Sequence, residues 1–119
     1  AIKELKDLNV DMIICTGGMS VDPDDMTPSS IIESGAKVVS YGSPMLPGAM
    51  LSIGYFDNDV PILGLPGCVM YAASTVFDAI LPKTLAKIKW TKEELAELGY
   101  GGLCQNCKVC HFPNCTFGN

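Results

Sequence analysis

Two short apolar runs, "VDMIIC" at residues 10–15 and "VPILGL" at 60–65, each lead straight into a glycine-bearing loop and then toward a helix. No other feature of the chain restricts its fold as much. Apolar runs of this length, bounded by turn signals, read as buried strands. A strand that feeds a loop and then a helix belongs to an α/β arrangement, where ligands gather beyond the carboxyl ends of the strands. The loops "TGG" (16–18) and "GLPG" (64–67) are therefore expected together at one sheet edge, facing a common crevice.

The segments between them fit the same plan. Ile2, Leu5 and Leu8 recur at helical spacing, and Asn9 tolerates the left-handed conformation that stops a helix. Thr27 can cap a second helix, Pro28 suits its first position, and Gly35 ends it. "KVVSYG" reads as a strand and "SPMLPG" as a stiff loop; "AMLSIGYF" and "VPILGL" then form a hairpin across "DND". "PGCVMYAASTVFDAIL" predicts a helix that starts near Val69, is apolar nearly all round, and is kinked or restarted at Pro82. Thr91 and Glu94 make a capping box for a short helix to Leu98. The expected fold is an α/β three-layer sandwich with a mostly parallel sheet and one hairpin. Residues 1–90 form the domain, 91–98 a linker helix, and 99–119 a cysteine-rich tail with no helical or strand period, read as a separate appendage. A helix already under way at Ala1, with no starting methionine, suggests a domain truncated at its N-terminus.

Composition limits the function. At 119 residues, 48% hydrophobic and 18% charged, the chain suits one hydrophobic core rather than disorder. No apolar run approaches the roughly 20 residues that span a bilayer. The net charge is −5 and all eight basic residues are lysines, which argues against a nucleic-acid partner. It also removes arginine as a phosphate clamp, so a phosphate here must rest on backbone N–H groups, a lysine or a metal. The start of the chain lacks the layout of a secretory signal, and the cysteines are closely spaced. Both point to a reducing, cytoplasmic setting.

Three stretches carry candidate chemistry. In the first loop Gly17 and Gly18 let backbone approach a ligand, while Thr16 and Ser20 offer hydroxyls. Asp25, two residues before Thr27, can hold a divalent cation that bridges to phosphate oxygens. Alternatively Asp22, Asp24 and Asp25 only favour the positive end of the following helix. In the second loop Gly64 and Gly67 precede a helix whose N–H groups would seat an anion. Cys68 stands there as either an activated thiol or an inert small residue. The third stretch is the tail, where Cys104, Cys107, Cys110 and Cys115 stand as C-x2-C-x2-C-x4-C, with His111 a neighbour. Four thiolates suit a zinc ion, or an iron–sulfur cluster whose bacterial run is C-x2-C-x2-C-x3-C-P; the bland alternative is reduced thiols without metal. Cys15 reads as a small core residue, and Trp90 and Tyr100 as packing anchors.

The stretch "TGGMSVDPDDMTP", together with "PMLPG" at 44–48 and "GLPG" at 64–67, resembles the molybdopterin-binding domain family in order and separation. That family includes molybdopterin adenylyltransferases, molybdenum insertases and CinA-type proteins. The resemblance covers roughly residues 1–88. It implies that Asp25 is the essential aspartate tied to magnesium, and that Gly17, Gly18 and Ser20 meet the pterin phosphate. Pro47, Gly48, Pro66 and Gly67 become the ligand-facing Pro-Gly turns. The implied ligand is molybdopterin or adenylylated molybdopterin, with ATP as donor in the transferase form and a dimer or trimer as the assembly. The family also carries a strand and helix ahead of the segment matched here. Three departures stand out: Cys68 where Asn or Ser is usual, Asp24 where a basic residue is common, and no arginine for a triphosphate. These leave two readings: adenylyl transfer or molybdenum insertion, or a non-catalytic module whose tail docks to a partner or senses metal. CinA-type hydrolysis of a nucleotide pyrophosphate ranks third.

Overall fold

A computed structural model describes residues 2–17, 27–67 and 72–118. The apolar runs become strands, and their burial follows their place in the sheet. Among the described residues the order is β1 (Ile13–Thr16), β4 (Pro61–Leu65), β3 (Ser52–Tyr55), β2 (Lys37–Tyr41). The central strands β3 and β4 are buried along their whole length, while the flanking strands β1 and β2 are part-exposed.

The sheet is not mostly parallel. β1 pairs with β4 in parallel, but β4 with β3 and β3 with β2 are antiparallel. The cause is local. Residues 42–51, between β2 and β3, hold no helix, and a parallel return needs a crossover of a dozen residues or more. The chain must therefore fold straight back, and the expected hairpin then reverses it again into β4. Its turn closes through Asp59 N–H to the Phe56 carbonyl (2.9 Å) and Phe56 N–H to the Val60 carbonyl (3.0 Å).

Alternation along the strands divides the core between two faces. On one, Ile13 and Ile62 pack with Ile31, Phe56 and Ala36, under α1 (Ile2–Asp7) and α2 (Thr27–Glu33). On the other, Ile53, Tyr55, Leu63 and Leu65 pack with Val76 and Ile80 of α3 (Val76–Leu85) and Leu95 of α4 (Lys92–Glu97). Helices thus cover both faces, as a sandwich requires. Burial of each such large apolar side chain contributes about 1.5–3 kcal/mol.

Helix ends follow the sequence signals except at α3. Asn9, at φ 56°, stands just past α1, and Gly35 just past α2. Thr91 caps α4 by accepting from Glu94 N–H at 3.2 Å. The helix expected from near Val69 does not run unbroken into α3, which starts at Val76 after non-helical residues 72–75; residues 68–71 lie outside the described residues. Thr75 and Asp78 form a capping box: Phe77 N–H donates to Thr75 Oγ1 (3.2 Å) and Thr75 N–H to Asp78 Oδ2 (2.8 Å). This pair stops the helix from extending toward the "GLPG" loop. At the other end α3 runs through Pro82, and Val76, Ile80 and Thr84 are its buried stripe.

The last turn of the domain is fixed by polar contacts at the core's rim. Trp90 N–H donates to the Tyr55 hydroxyl (2.7 Å) and its indole N–H to the Ile80 carbonyl (3.2 Å). Burial pushes the Tyr55 hydroxyl pKa up, partly offset by that bond and by Lys89. Lys83 pairs with Glu94, tying α3 to α4, and lies 4.5 Å from the Trp90 ring centroid.

The tail packs against the core of the domain. Phe117 is 2% exposed and belongs to the same core cluster as Met45, Val76 and Ile80, with Cys104 and Phe112 packed against that cluster. Leu103 pairs with Leu46 as a short parallel bridge: Leu46 N–H donates to the Gly102 carbonyl (2.6 Å) and Cys104 N–H to the Leu46 carbonyl (2.8 Å). Gly118 N–H reaches the Gly101 carbonyl (2.9 Å), closing the tail into a loop. Gly102 is required at this seam, since a Cβ there would lie 2.2 Å from the Pro44 carbonyl oxygen. The sequence shows no period here because a single buried phenylalanine, not a repeated stripe, anchors the tail. Among the described residues no helix is long and apolar enough to cross a membrane.

Candidate functional site

Strand directions decide which loops can share a site. One row of residues crosses the sheet, Cys15 beside Gly64, Gly64 beside Ser52, and Ser52 beside Tyr41. Just past that row lie Thr16 at the end of β1 and Gly17 after it, Pro66 and Gly67 after β4, and the 42–51 loop between β2 and β3. All three loops singled out in the sequence therefore stand on one edge. The parallel β1–β4 pair sets Thr16 directly against Leu65, so the two glycine loops are neighbours, as expected from the strand–loop–helix pattern.

The described site residues divide by exposure. Thr16, Gly17 and Gly67 are exposed, Pro47 is half-buried, and Gly48 and Pro66 are buried. Gly17 has φ 79°, and open space lies where its Cβ would be, so its backbone faces solvent rather than packing. Thr27 Oγ1 donates to the Gly17 carbonyl at 2.7 Å. That bond ties the start of α2 to the end of β1 and draws together the two ends of the 17–27 loop. Gly18, Ser20, Asp22, Asp24, Asp25 and Cys68 lie outside the described residues.

Gly48 has a structural reason of its own. Its φ is 114°, and an added Cβ would meet Val76 Cγ1 at 2.4 Å. The Pro47 carbonyl next to it accepts Val76 N–H at 3.1 Å, locking the Pro-Gly turn onto the first turn of α3. Gly48→Ala is expected to destabilise the chain by about 1–3 kcal/mol through left-handed strain and overpacking. The check is a lower denaturant midpoint at unchanged slope.

The anion seat expected at a helix start near Val69 falls on residues 68–71, outside the described residues, whereas the start of α3 is already occupied. With α3 starting at Val76, its first N–H groups already have partners: Val76 donates to Pro47, Phe77 to the Thr75 side chain, and Asp78 to the Thr75 carbonyl at 3.0 Å. None of the three is left for a phosphate. The sequence reading missed the "T-V-F-D" cap, which was the available signal; Asp occupies the place where Glu is usual.

Two cavities open along this edge. One, of about 330 Å³, lies between Leu65 at the end of β4 and Thr75, Phe77 and Asp78 at the start of α3. The other, of about 540 Å³, lies between Pro47, residues 72–74 and the tail, and Cys104, Cys107, Cys110 and Cys115 all line it. Ala72 and Ala73 border both. Sequence reasoning did not join the tail to this edge, because nothing local ties Ser74 to residue 110. The Ser74 hydroxyl lies 3.2 Å from Cys110 Sγ in a hydrogen bond. That bond, and one from the Phe112 backbone N–H, hold the Cys110 thiol pKa below its usual value. Burial instead pushes the Cys15 thiol up, as suits a small core residue.

Among the described residues no three His, Cys, Asp or Glu side chains are gathered to hold a single metal ion. The four tail thiols share a cavity without converging on one point, and none of the described cysteines is in a disulfide. Asp25, the residue singled out for magnesium, lies outside the described residues.

No curated protein matches the chain. The family described as "Probable molybdopterin binding domain" matches residues 1–87, which takes in all three loops and every strand of the sheet. The chain belongs to the molybdopterin-binding domain family and has a molybdopterin-binding role in molybdenum cofactor biosynthesis.

Proposed function

We propose that the chain binds molybdopterin, or its adenylate, along the edge where the three loops meet, and acts in adenylyl transfer to molybdopterin or in molybdenum insertion. The observation that carries this reading is the single row from Cys15 to Tyr41, which sets the "TGG", "PMLPG" and "GLPG" loops side by side. Backbone N–H groups of the Gly17–Gly18 and Gly67 turns receive the pterin phosphate, with Thr16 and Ser20 hydroxyls beside them. In a chain without arginine this is the available anion chemistry. Pro47 and Pro66 give the ligand a stiff wall. Gly48 acts behind that wall, letting it approach α3.

Asp25 would hold magnesium, an ion that suits carboxylate and phosphate oxygens. When bound it neutralises phosphate charge near an acidic loop. The chain's own contribution is to hold that loop's ends together through Thr27 and Gly17. The tail thiols supply a second metal site, for zinc or an iron–sulfur cluster. The described cysteines are not in disulfides, which suits a cytoplasmic setting. A dimer or trimer completes the reading, and light scattering measures it.

The test separates the two reactions. The chain is incubated with molybdopterin, magnesium and ATP, and pyrophosphate release reports adenylyl transfer. With molybdate and the adenylate in place of ATP, transfer of molybdenum into the pterin reports insertion. Binding without either reaction favours the non-catalytic reading. The version of that reading in which the tail docks to a partner has less support, because Phe117 and the Leu46–Leu103 bridge commit the tail to its own domain.

A further inference from the structure

The four tail cysteines pose a geometric question that their spacing alone leaves open. They line one cavity of about 540 Å³, yet among the described residues no three ligating groups gather around a point. A tetrahedral zinc ion, with Zn–S bonds of about 2.3 Å, needs its four sulfurs within roughly 4 Å of one another. A cubane iron–sulfur cluster makes a different demand. Each thiolate binds a different iron, so the sulfurs surround a volume rather than a point. All four cysteines line this one cavity, the enclosure that the second demand requires.

The loop is also shaped without help from a metal. Its start is held by the Leu46–Cys104 and Leu46–Gly102 hydrogen bonds, and its end by buried Phe117 and the Gly118–Gly101 bond. Structural zinc ions stand where a small domain has no core to fold on. Here the core already fixes both ends, so a zinc staple has nothing to add, while the thiols between those ends remain exposed.

The spacing fits as well. C-x2-C-x2-C supplies three ligands of the bacterial cluster run, and in two-cluster proteins the fourth cysteine of that run serves the other cluster. The x3 spacing is therefore no guide for a chain with one cluster. In this chain Asn114 N–H bonds the His111 carbonyl at 2.7 Å, and that turn returns Cys115 to the cavity that holds the other three. Around it lie apolar side chains such as Leu46 and Phe112, and Ser74 supplies a hydrogen-bond partner for the Cys110 sulfur. Apolar enclosure and hydrogen bonds to sulfur are the levers by which proteins hold and tune such clusters.

We propose that the tail binds one four-iron, four-sulfide cluster through Cys104, Cys107, Cys110 and Cys115, one thiolate to each iron. The cluster lies against the Pro47 turn. On the molybdopterin reading above, this places a redox-active group in the wall of the ligand site.

The test uses equal amounts of ferric and ferrous iron with sulfide and no pterin, so it fails or succeeds independently of the molybdopterin reading. The chain is reconstituted anaerobically, desalted, and measured for iron, acid-labile sulfide and visible absorption. The expected result is about four irons and four sulfides per chain, with a broad charge-transfer absorption that dithionite bleaches. Cys107→Ser and Cys110→Ser, at exposed positions, lose the absorption while keeping the parent's unfolding midpoint; Cys15→Ser keeps it. A colourless chain that retains one zinc overturns the proposal. So do iron lost on desalting, about two irons per chain, or a cluster indifferent to Cys107→Ser.

Discussion

Phe117→Ala is expected to destabilise the whole chain by about 3–5 kcal/mol, the range for emptying a buried aromatic site. A domain of this size holds only about 5–15 kcal/mol in total, so the loss is roughly a fifth or more of its stability. Three observations set the magnitude. Phe117 is 2% exposed, it shares a core with Met45, Val76 and Ile80, and its ring meets Phe112 edge-on at a centroid distance of 6.2 Å. If the tail were an appendage, the substitution would shift stability by no more than about 0.5 kcal/mol, as surface changes do. Urea unfolding followed by the fluorescence of Trp90 decides between them, because Trp90 sits in the same cluster and is the chain's one tryptophan.

The second large effect concerns the ligand. Asp25→Ala is expected to weaken magnesium-dependent molybdopterin binding at least about tenfold, roughly 1.4 kcal/mol, with little change in fold stability. The carboxylate has two possible roles, and they predict different outcomes. As a metal ligand it acts through phosphate, so its removal reduces affinity only when magnesium is present. As a helix-start charge for α2 its removal costs about 0.3–1 kcal/mol of stability and leaves affinity untouched. Titrating parent and variant with and without magnesium, beside a denaturation curve for each, separates the two. Asp24→Ala is the matched control, since the family resemblance singles out Asp25 alone.

What the sequence disclosed and what it hid have physical causes. Strands and the hairpin were legible because "VPILGL" and its neighbours carry their burial in local apolar runs. The adjacency of the glycine loops was legible too, because strand–loop–helix order forces β1 and β4 to run alike. The antiparallel majority was readable in principle from the helix-free 42–51 segment, which is too short for a crossover. The start of α3 was hidden by apolar residues on both sides of Thr75, where the cap rather than hydropathy sets the boundary. The docked tail was hidden most deeply. It depends on Gly102 fitting against Pro44 and on Phe117 reaching a core built more than twenty residues earlier, contacts that no local pattern encodes. For the candidate site, the neighbourhood of Thr16, Gly17, Pro66 and Gly67 followed from sequence, whereas the tail's place at the same edge did not.

Calorimetric titration of molybdopterin into the chain with magnesium present tests the central claim most directly. Saturable binding at one site per chain is expected, weakened when magnesium is chelated and weakened alike by Asp25→Ala. Absence of binding by folded chain in the presence of magnesium contradicts it.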